Sequence, residues 1–129
     1  MSDVKKNTGI VLLAHGARDP SWREPFENIL DRVRRGAEGP VSLAFLDHME
    51  PSVLSACEHL VAFGVSKIAL VPLFLGVGGH VKGDVPQLVT EASAKTGVAI
   101  EITPAIGETE SLVQSIADVS LHLVTELTE

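Results

Sequence analysis

Three short apolar runs of this chain each lead into a side chain that can bind a metal ion. IVLLAHG carries His15, VSLAFLDH carries Asp47, and IALVPLFLGVGGH ends at His80. If the runs are parallel strands, their carboxyl ends lie along one edge of a sheet, and these distant residues become neighbours. Two imidazoles and a carboxylate suit a divalent transition metal such as Zn²⁺, Co²⁺, Ni²⁺ or Fe²⁺. The pattern therefore predicts a metal site at that edge.

The elements that must position these residues alternate between strand-like and helical hydrophobic patterns. Strands are predicted at 8–14, 41–46, 67–75 and 98–102, and helices at 20–35, 51–63, 84–95 and 108–127. Strands that are apolar throughout are buried on both faces, as in a parallel sheet covered by helices. We therefore expect an α/β fold, an open parallel sheet of about four strands with helices on both faces. It forms one domain over 1–129, with 1–7 flexible.

Composition and charge exclude several classes of partner. The net charge is −7 and the cations are scattered, so a basic face for nucleic acid is not expected. No apolar stretch approaches the roughly 20 residues that cross a bilayer, so no membrane partner is expected. The start MSDVKKNTG lacks the apolar centre of a signal peptide, and the lone Cys57 forms no internal disulfide. These features predict a cytoplasmic protein.

The segment AHGARDP surrounds His15 with residues typical of a binding loop. Gly16 permits a sharp turn beside the imidazole, Arg18 is a candidate to face an anion, and Asp19 precedes Pro20 as a helix N-cap. A single histidine at a strand end is also typical of a structural hydrogen bonder.

The segment GVGGHVKGD places His80 among glycines 76, 78, 79 and 83. A loop so rich in glycine can approach a bulky ligand closely. A phosphate-binding loop is the other interpretation, but neither GxGxxG nor GxxxxGK[ST] is present.

Asp47 and His48 follow the second strand, and alternation along a strand would send them to opposite sides. Asp47 is the favoured site residue of the two. Glu50, just before Pro51, is a candidate for a helix cap or for a substitute carboxylate. His59, His122 and Cys57 fall within predicted helices, where structural or solvated roles are expected, and Cys57 is expected in the core.

Three segments together, AHGARDP, AFLDHMEPS and VPLFLGVGGHVKGDVP, resemble the small sirohydrochlorin chelatases, which are class II chelatases that insert cobalt, iron or nickel into sirohydrochlorin. The likeness covers residues 8–90, in the same order and at the same spacing. It implies a chelatase-like α/β domain that works as a homodimer imitating longer two-domain chelatases. It also implies no permanently bound cofactor, with Co²⁺, Fe²⁺ or Ni²⁺ as a substrate.

The resemblance also assigns roles to residues. His15 and His80 match the metal-binding and catalytic histidines, and Asp47 matches a position that is often glutamate. The shorter aspartate leaves three options: a direct ligand, a ligand through water, or a role passed to Glu50. Gly78 and Gly79 would flank the tetrapyrrole, and Arg18 and Lys82 would meet its peripheral carboxylates.

The chemistry of insertion agrees with these residue types. Two pyrrole N–H protons must leave the ring, and neutral imidazoles both hold the ion loosely and accept protons near neutral pH. A non-catalytic carrier of metal or tetrapyrrole would use the same ligands and remains the alternative. A nucleotide-binding α/β domain is disfavoured because the phosphate motifs are missing.

Overall fold

The fold is a four-stranded parallel sheet with helices packed on it. The computed structural model describes residues 7–76 and 78–128, with the side chains of 79–82 and 128 excepted. The strands are β1 (Thr8–Ala14), β2 (Val41–Phe45), β3 (Lys67–Pro72) and β4 (Ala99–Ile102), and the helices are α1 (Arg23–Gly36), α2 (Val53–Val61), α3 (Gly79–Thr96) and α4 (Glu110–Thr128). The strand order is β2-β1-β3-β4. The predicted α/β class with a parallel sheet is confirmed.

Strand β1 lies between β2 and β3, and the register brings the carboxyl ends of these three strands level. Ala14 pairs with Phe45 on one side, and Leu13 pairs with Pro72 on the other. Residues that follow these strands therefore meet at one edge of the sheet.

Helices cover the sheet on both faces. Helix α1 packs over β2 and the adjoining part of β1, with Phe26, Leu30 and Val33 against the strands. Helices α2 and α3 pack on the opposite face and against each other. The largest fully buried side chains come from β1, β2, β3 and α2, and they are Phe45, Leu13, Leu60, Ile68, Leu70, Val11, Val53 and Cys57. Within the described residues, no helix is long and apolar enough to cross a membrane.

Strand β3 ends earlier than predicted because its hydrogen-bonding partners run out. The Leu73 N–H still donates to the Leu13 carbonyl at 2.7 Å, but the Phe74 carbonyl accepts from Gly107 N–H at 2.9 Å, outside the sheet. Leu75 is 70% exposed. The apolar run thus continues beyond the strand, which is why its composition predicted a longer one.

Helix α3 begins at Gly79, so two predictions about this region are wrong. The stretch from Gly79 to Asp84 is helical rather than a glycine loop, and Pro86 lies inside the helix rather than at its start. Val85 and Val89 are buried on the face toward α2, and this packing outweighs the low helix propensity of glycine and proline.

The remaining boundaries follow local capping. Helix α2 begins at Val53 rather than at Pro51, because Ser52 is its N-cap and the Ser52 hydroxyl accepts from Ser55 N–H at 3.2 Å. Asp19 caps the 3₁₀ turn Pro20–Trp22 before α1, as expected. Its carboxylate accepts hydrogen bonds from the Ser21 N–H and from the Ser21 hydroxyl, and both bonds lower the pKa of Asp19.

Residues 1–7 were predicted to be flexible, and 1–6 of them lie outside the described residues. The Asn7 carbonyl accepts a hydrogen bond from Ser66 N–H at 2.8 Å, which holds that residue against the start of β3.

Cys57 has no exposed surface, and burial raises the pKa of its thiol to about 11, with a smaller contribution from the neighbouring Glu58 carboxylate. We predict that iodoacetamide at pH 8 alkylates the native thiol at least about 100-fold more slowly than the urea-unfolded chain, because the reactive thiolate is scarce and shielded. Mass spectrometry of timed samples measures both rates. Comparable rates would contradict the buried position.

Candidate functional site

A pocket of about 410 Å³ opens at the carboxyl edge of the sheet. Its lining comes from the loops after β1 and β2 and from one side of α3, namely His15, Leu46, Asp47, Asp84, Gln87, Leu88 and Glu91. Three segments far apart in sequence therefore contribute to one site. This is the edge at which open α/β sheets usually bind their ligands.

His15 is the first residue after β1, and two aromatic side chains hold it in place. The ring of the buried Phe74 lies 4.3 Å from the imidazole, centroid to centroid. The Trp22 indole N–H donates to the His15 carbonyl at 2.7 Å. Within the part of the chain that the structure describes, neither imidazole nitrogen has a hydrogen-bond partner. The backbone of His15 is thus anchored, and no described side chain binds its imidazole nitrogens.

Asp47 connects the loop after β2 to the loop that carries His15. Its Oδ1 accepts a hydrogen bond from Gly16 N–H at 3.2 Å. A Cβ atom at Gly16 would overlap the carbonyl oxygen of Asp47, so only glycine allows the two loops to lie this close. Asp47 therefore lies at the carboxyl edge of the sheet, and its role as a metal ligand stays a prediction.

Asp47 rather than His48 faces the pocket, but strand alternation is not the reason. The strand ends at Phe45, so strand alternation does not apply to these residues. Instead, His48 adopts a left-handed backbone with φ of 61°, and Asp47 lines the pocket while His48 does not. Glu50 is also absent from the lining, because its Oε2 accepts from Ser52 N–H at 2.9 Å at the start of α2.

Helix α3 contributes side chains that sequence reasoning missed. Asp84, Gln87, Leu88 and Glu91 recur at helical spacing and form one wall of the pocket. Asp84 lies within the helix rather than at its start, where the sequence pattern placed it. All four residues lie within the predicted helix 84–95 at this spacing, but the sequence did not show which side of that helix faces the edge of the sheet.

The other predicted site residues lie at the start of α3 and in the loop after β1, and none of them is in the described lining of the pocket. Gly78 is the N-cap of α3 and Gly79 its first residue. His80 and Lys82 fall within the same helix, but their side chains lie outside the described residues. Arg18 is exposed in the loop after β1 and does not line the pocket.

The described lining combines one imidazole with three carboxylates, those of Asp47, Asp84 and Glu91. Such a set attracts a divalent cation and repels anions. Among the described residues, no three histidine, cysteine, aspartate or glutamate side chains are grouped closely enough to hold a metal ion. The predicted set of His15, Asp47 and His80 includes a side chain beyond that description and stays a prediction.

We predict that Gly16→Ala lowers the melting temperature by at least about 5 °C, because the added methyl group must push the two loops apart. Thermal unfolding followed by circular dichroism measures the change. Gly36→Ala is the matched control, since nothing lies within 4 Å of a Cβ atom there, and its melting temperature should stay level or rise slightly. Equal melting temperatures for the two variants would contradict the close approach at Gly16.

Comparison with known proteins identifies relatives over most of the chain. The family model described as CbiX matches residues 9–121. A sirohydrochlorin cobaltochelatase from Methanothermobacter thermautotrophicus is 38% identical over 88 residues, which are 68% of this chain and 62% of the relative. The match thus spans less than two thirds of that relative. A sirohydrochlorin cobaltochelatase from Sulfurisphaera tokodaii is 28% identical over 85% of this chain and 88% of its own length.

Solved structures give a consistent result. A CbiX protein of cobalamin (vitamin B12) biosynthesis from Marinobacter aquaeolei VT8 superposes with a TM-score of 0.85 at 32% identity, covering 92% of this chain and 98% of that one. The sirohydrochlorin chelatase SirB from Bacillus subtilis subspecies spizizenii, in complex with cobalt, superposes with a TM-score of 0.76 at 26% identity. That match covers 86% of this chain but only 48% of SirB.

Proposed function

The chain belongs to the CbiX family, and on that premise we propose that it is a sirohydrochlorin chelatase, an enzyme that inserts a divalent metal ion into the tetrapyrrole and releases two protons. The observation that carries the proposal is the position of His15 in an acidic pocket at the carboxyl edge of the sheet. The cobaltochelatase names of the relatives support cobalt as a substrate, and Fe²⁺ and Ni²⁺ are the other candidates.

The first step is the capture of the hydrated metal ion. We assign His15 and His80 as its imidazole ligands, and Asp47 as a carboxylate that acts directly or through water. His80 supports this assignment by its place in α3, one helical turn before Asp84 of the pocket wall. A small number of protein ligands favours transfer of the metal ion, because an ion held in a closed four-ligand site would not pass to the ring.

The second step moves the ion into the ring and the protons out of it. Two pyrrole nitrogens lose their protons, and the four ring nitrogens replace water and protein ligands around the metal. The imidazole of His15, as it gives up the metal, accepts one proton, and His80 is assigned the same role for the other. The carboxylate of Asp84, in the same pocket, would favour the resulting imidazolium charge, whereas Glu91 is paired with Lys95 at 3.2 Å.

The charge of the pocket sets how the tetrapyrrole must lie. Sirohydrochlorin carries peripheral carboxylates, which the acidic lining repels, so these groups must lie outside the pocket. Arg18 and Lys82 are the proposed partners of the carboxylates, and Gly78 and Gly79 the proposed flank of the ring. Arg18 supports this role because it is exposed in the same loop as His15 and is not part of the acidic lining.

A second copy of the chain completes the proposal. This chain matches about half of SirB, and a flat macrocycle needs two walls, whereas a single sheet edge provides one. We therefore assign a homodimer with the tetrapyrrole near the junction of the subunits. We also assign a cytoplasmic location, and the single buried cysteine, Cys57, which has no second cysteine in this sequence to pair with, supports it.

The decisive assay is the incubation of the purified protein with sirohydrochlorin and excess Co²⁺. We expect many turnovers per protein chain, followed by the change in the absorption spectrum of the ring as metal enters. Binding of one equivalent without turnover would instead identify a carrier protein and refute the enzyme.

His15→Ala and His80→Ala should each lower the rate of cobalt insertion more than tenfold, because each removes a metal ligand and a proton acceptor. His59→Ala and His122→Ala are the controls and should keep near-normal rates, since both histidines are exposed on helices away from the pocket lining. Circular dichroism checks the fold of each variant. Normal turnover in both His15→Ala and His80→Ala would refute the site.

Two substitutions at Asp47 separate its two roles. Asp47→Asn keeps an oxygen that can accept the Gly16 N–H but removes the charge, whereas Asp47→Ala removes both. If the residue acts mainly by holding the loop of His15, Asp47→Asn should keep activity within about threefold and Asp47→Ala should lose about 10- to 100-fold. Initial rates across a range of Co²⁺ concentrations measure this. Equal large losses, with a raised KM for Co²⁺, would show that the carboxylate contacts the metal directly.

A further inference from the structure

The start of α1 holds both of the loops that carry His15 and Asp47. The 3₁₀ turn Pro20–Trp22 leads directly into α1, so its last residue, Trp22, is the neighbour of Arg23, the first residue of the helix. The side chain of each donates a hydrogen bond to a backbone carbonyl, and the two carbonyls belong to different loops. Two adjacent residues thus contact two segments that are far apart in sequence.

Trp22 supports the backbone of His15 at the point where the sheet ends. The carbonyls of Leu13 and Ala14, the last two residues of β1, accept from backbone N–H groups of the neighbouring segments at 2.7 and 2.8 Å. The next carbonyl along the chain is that of His15, and its donor is the Trp22 indole N–H at 2.7 Å. A side chain of the turn before α1 therefore continues the support of β1 by one residue.

The turn that carries Trp22 is itself fixed in place. The Asp19 carboxylate accepts from the N–H and the hydroxyl of Ser21 at 2.9 and 2.8 Å, and the Asp19 carbonyl accepts from Trp22 N–H at 3.0 Å. The indole packs on Phe26, one turn along α1, with 5.3 Å between the ring centroids. The direction of the indole N–H is therefore set by the turn and by α1, and not by the loop that it contacts.

Arg23 supports the loop after β2 in the same way. Its guanidinium donates to the carbonyl of Glu50, in the loop that carries Asp47. The guanidinium carbon also lies 5.0 Å from the centre of the Phe45 ring, which belongs to the last residue of β2 and is almost fully buried. A planar guanidinium that stacks on a ring is already oriented for its hydrogen bond. Arg23 therefore connects this loop to a point in the core.

The two supports belong to one packed cluster of rings. Phe26 contacts the indole of Trp22 on one side and, edge to face, the ring of Phe45 on the other, with 6.2 Å between the two phenylalanine centroids. Phe45 in turn lies beneath the guanidinium of Arg23. Tilted and edge-to-face contacts at these distances are favourable arrangements of aromatic rings. A movement of either supporting side chain relative to the other would have to disturb this cluster.

We propose that Trp22 and Arg23 are positioning residues that set the separation of His15 and Asp47, and with it the affinity of the pocket for its metal substrate. The inference rests on the function proposed above, in which His15 and Asp47 meet the metal ion. Neither supporting side chain is part of the described lining of the pocket, so both act through backbone carbonyls. The contact of Asp47 with Gly16 ties the two loops to each other, whereas Trp22 and Arg23 tie them to the domain.

Calorimetric titration with Co²⁺ alone tests the two residues separately. Trp22→Phe keeps an aromatic ring against Phe26 but removes the indole N–H, and Arg23→Met keeps a long side chain over Phe45 but removes the guanidinium. We expect each change to raise the Kd for Co²⁺ about tenfold, because groups that orient metal ligands typically account for about 10- to 100-fold in affinity. Arg23→Lys restores a donor and should return the Kd to within about threefold of wild type.

Arg34 provides the matched control on the same helix. Its guanidinium donates to the carbonyl of Val41, the first residue of β2, at 3.0 and 3.2 Å. Arg34→Met therefore removes a comparable bond between α1 and the β2 segment, but at the end of the strand away from the pocket. We expect a Kd for Co²⁺ within about threefold of wild type. A rise equal to that of Arg23→Met would show a general loss of packing and refute the positioning role.

The kinetic constants separate positioning from a loss of folded protein. A positioning role predicts that Trp22→Phe and Arg23→Met raise KM for Co²⁺ about tenfold while kcat stays within about threefold. A variant that is merely unstable contains fewer active molecules, which lowers kcat and leaves KM unchanged, and that result in both variants would refute the proposal. Circular dichroism measures the folded fraction of each sample.

Hydrogen exchange of wild type supplies a test that needs no variant. Trp22 is the single tryptophan, so its indole N–H gives one signal in a ¹⁵N-edited NMR spectrum. If the bond to His15 favours metal binding, metal binding must favour that bond by the same factor. Protein is incubated in D₂O with and without saturating Co²⁺, EDTA then removes the ion, and the remaining signal is read. We expect about tenfold slower exchange with Co²⁺, and an equal rate would refute the role of Trp22.

Binding and turnover together keep the two proposals apart. An unchanged Kd in Trp22→Phe or in Arg23→Met would refute the role of that residue, and turnover by the same protein would leave the chelatase intact. Raised Kd values in the variants of a wild type that shows no turnover would refute the chelatase and leave the positioning role intact. A wild type that binds no Co²⁺ would refute both.

Discussion

Two backbone hydrogen bonds at the end of β1 hold the site together. The Ala14 carbonyl accepts from Leu46 N–H at 2.8 Å, and the Leu13 carbonyl accepts from Leu73 N–H at 2.7 Å. Each bond extends the pairing of β1 one residue past a neighbouring strand. The next residues along these three chain segments are His15, Asp47 and Phe74. Because β1 has a partner strand on both sides, the sheet itself places the three residues at one edge.

The sequence predicted the sheet well because burial on both faces leaves a strong local signal. Strand β2 is buried at every position and β1 nearly so, and such short continuous apolar runs are typical of strands covered by helices on both sides. The positions of His15 and Asp47 at the carboxyl edge followed from the predicted ends of β1 and β2, whereas the end of β3 was predicted three residues too late. Which residue after β2 faces the pocket was a different matter, because it depends on the left-handed backbone at His48.

Local patterns could not predict the start of α3, because contacts distant in sequence decide it. Glycines and Pro86 argue against a helix from Gly79, but Val85 and Val89 pack on α2 and prevail, which turns Asp84 toward the pocket. The period of α4 correctly predicts a helix, yet a period shows only that one side avoids water and not which surface covers it.

The contact between Gly16 and Asp47 divides what evolution can change at this site from what it cannot. The close approach involves the backbone carbonyl of Asp47, which every residue type possesses, so position 16 stays closed to other amino acids whatever stands at position 47. The side chain at position 47 needs only to provide a hydrogen-bond acceptor for Gly16 N–H. Substitutions there that keep such an acceptor leave the loop of His15 in place.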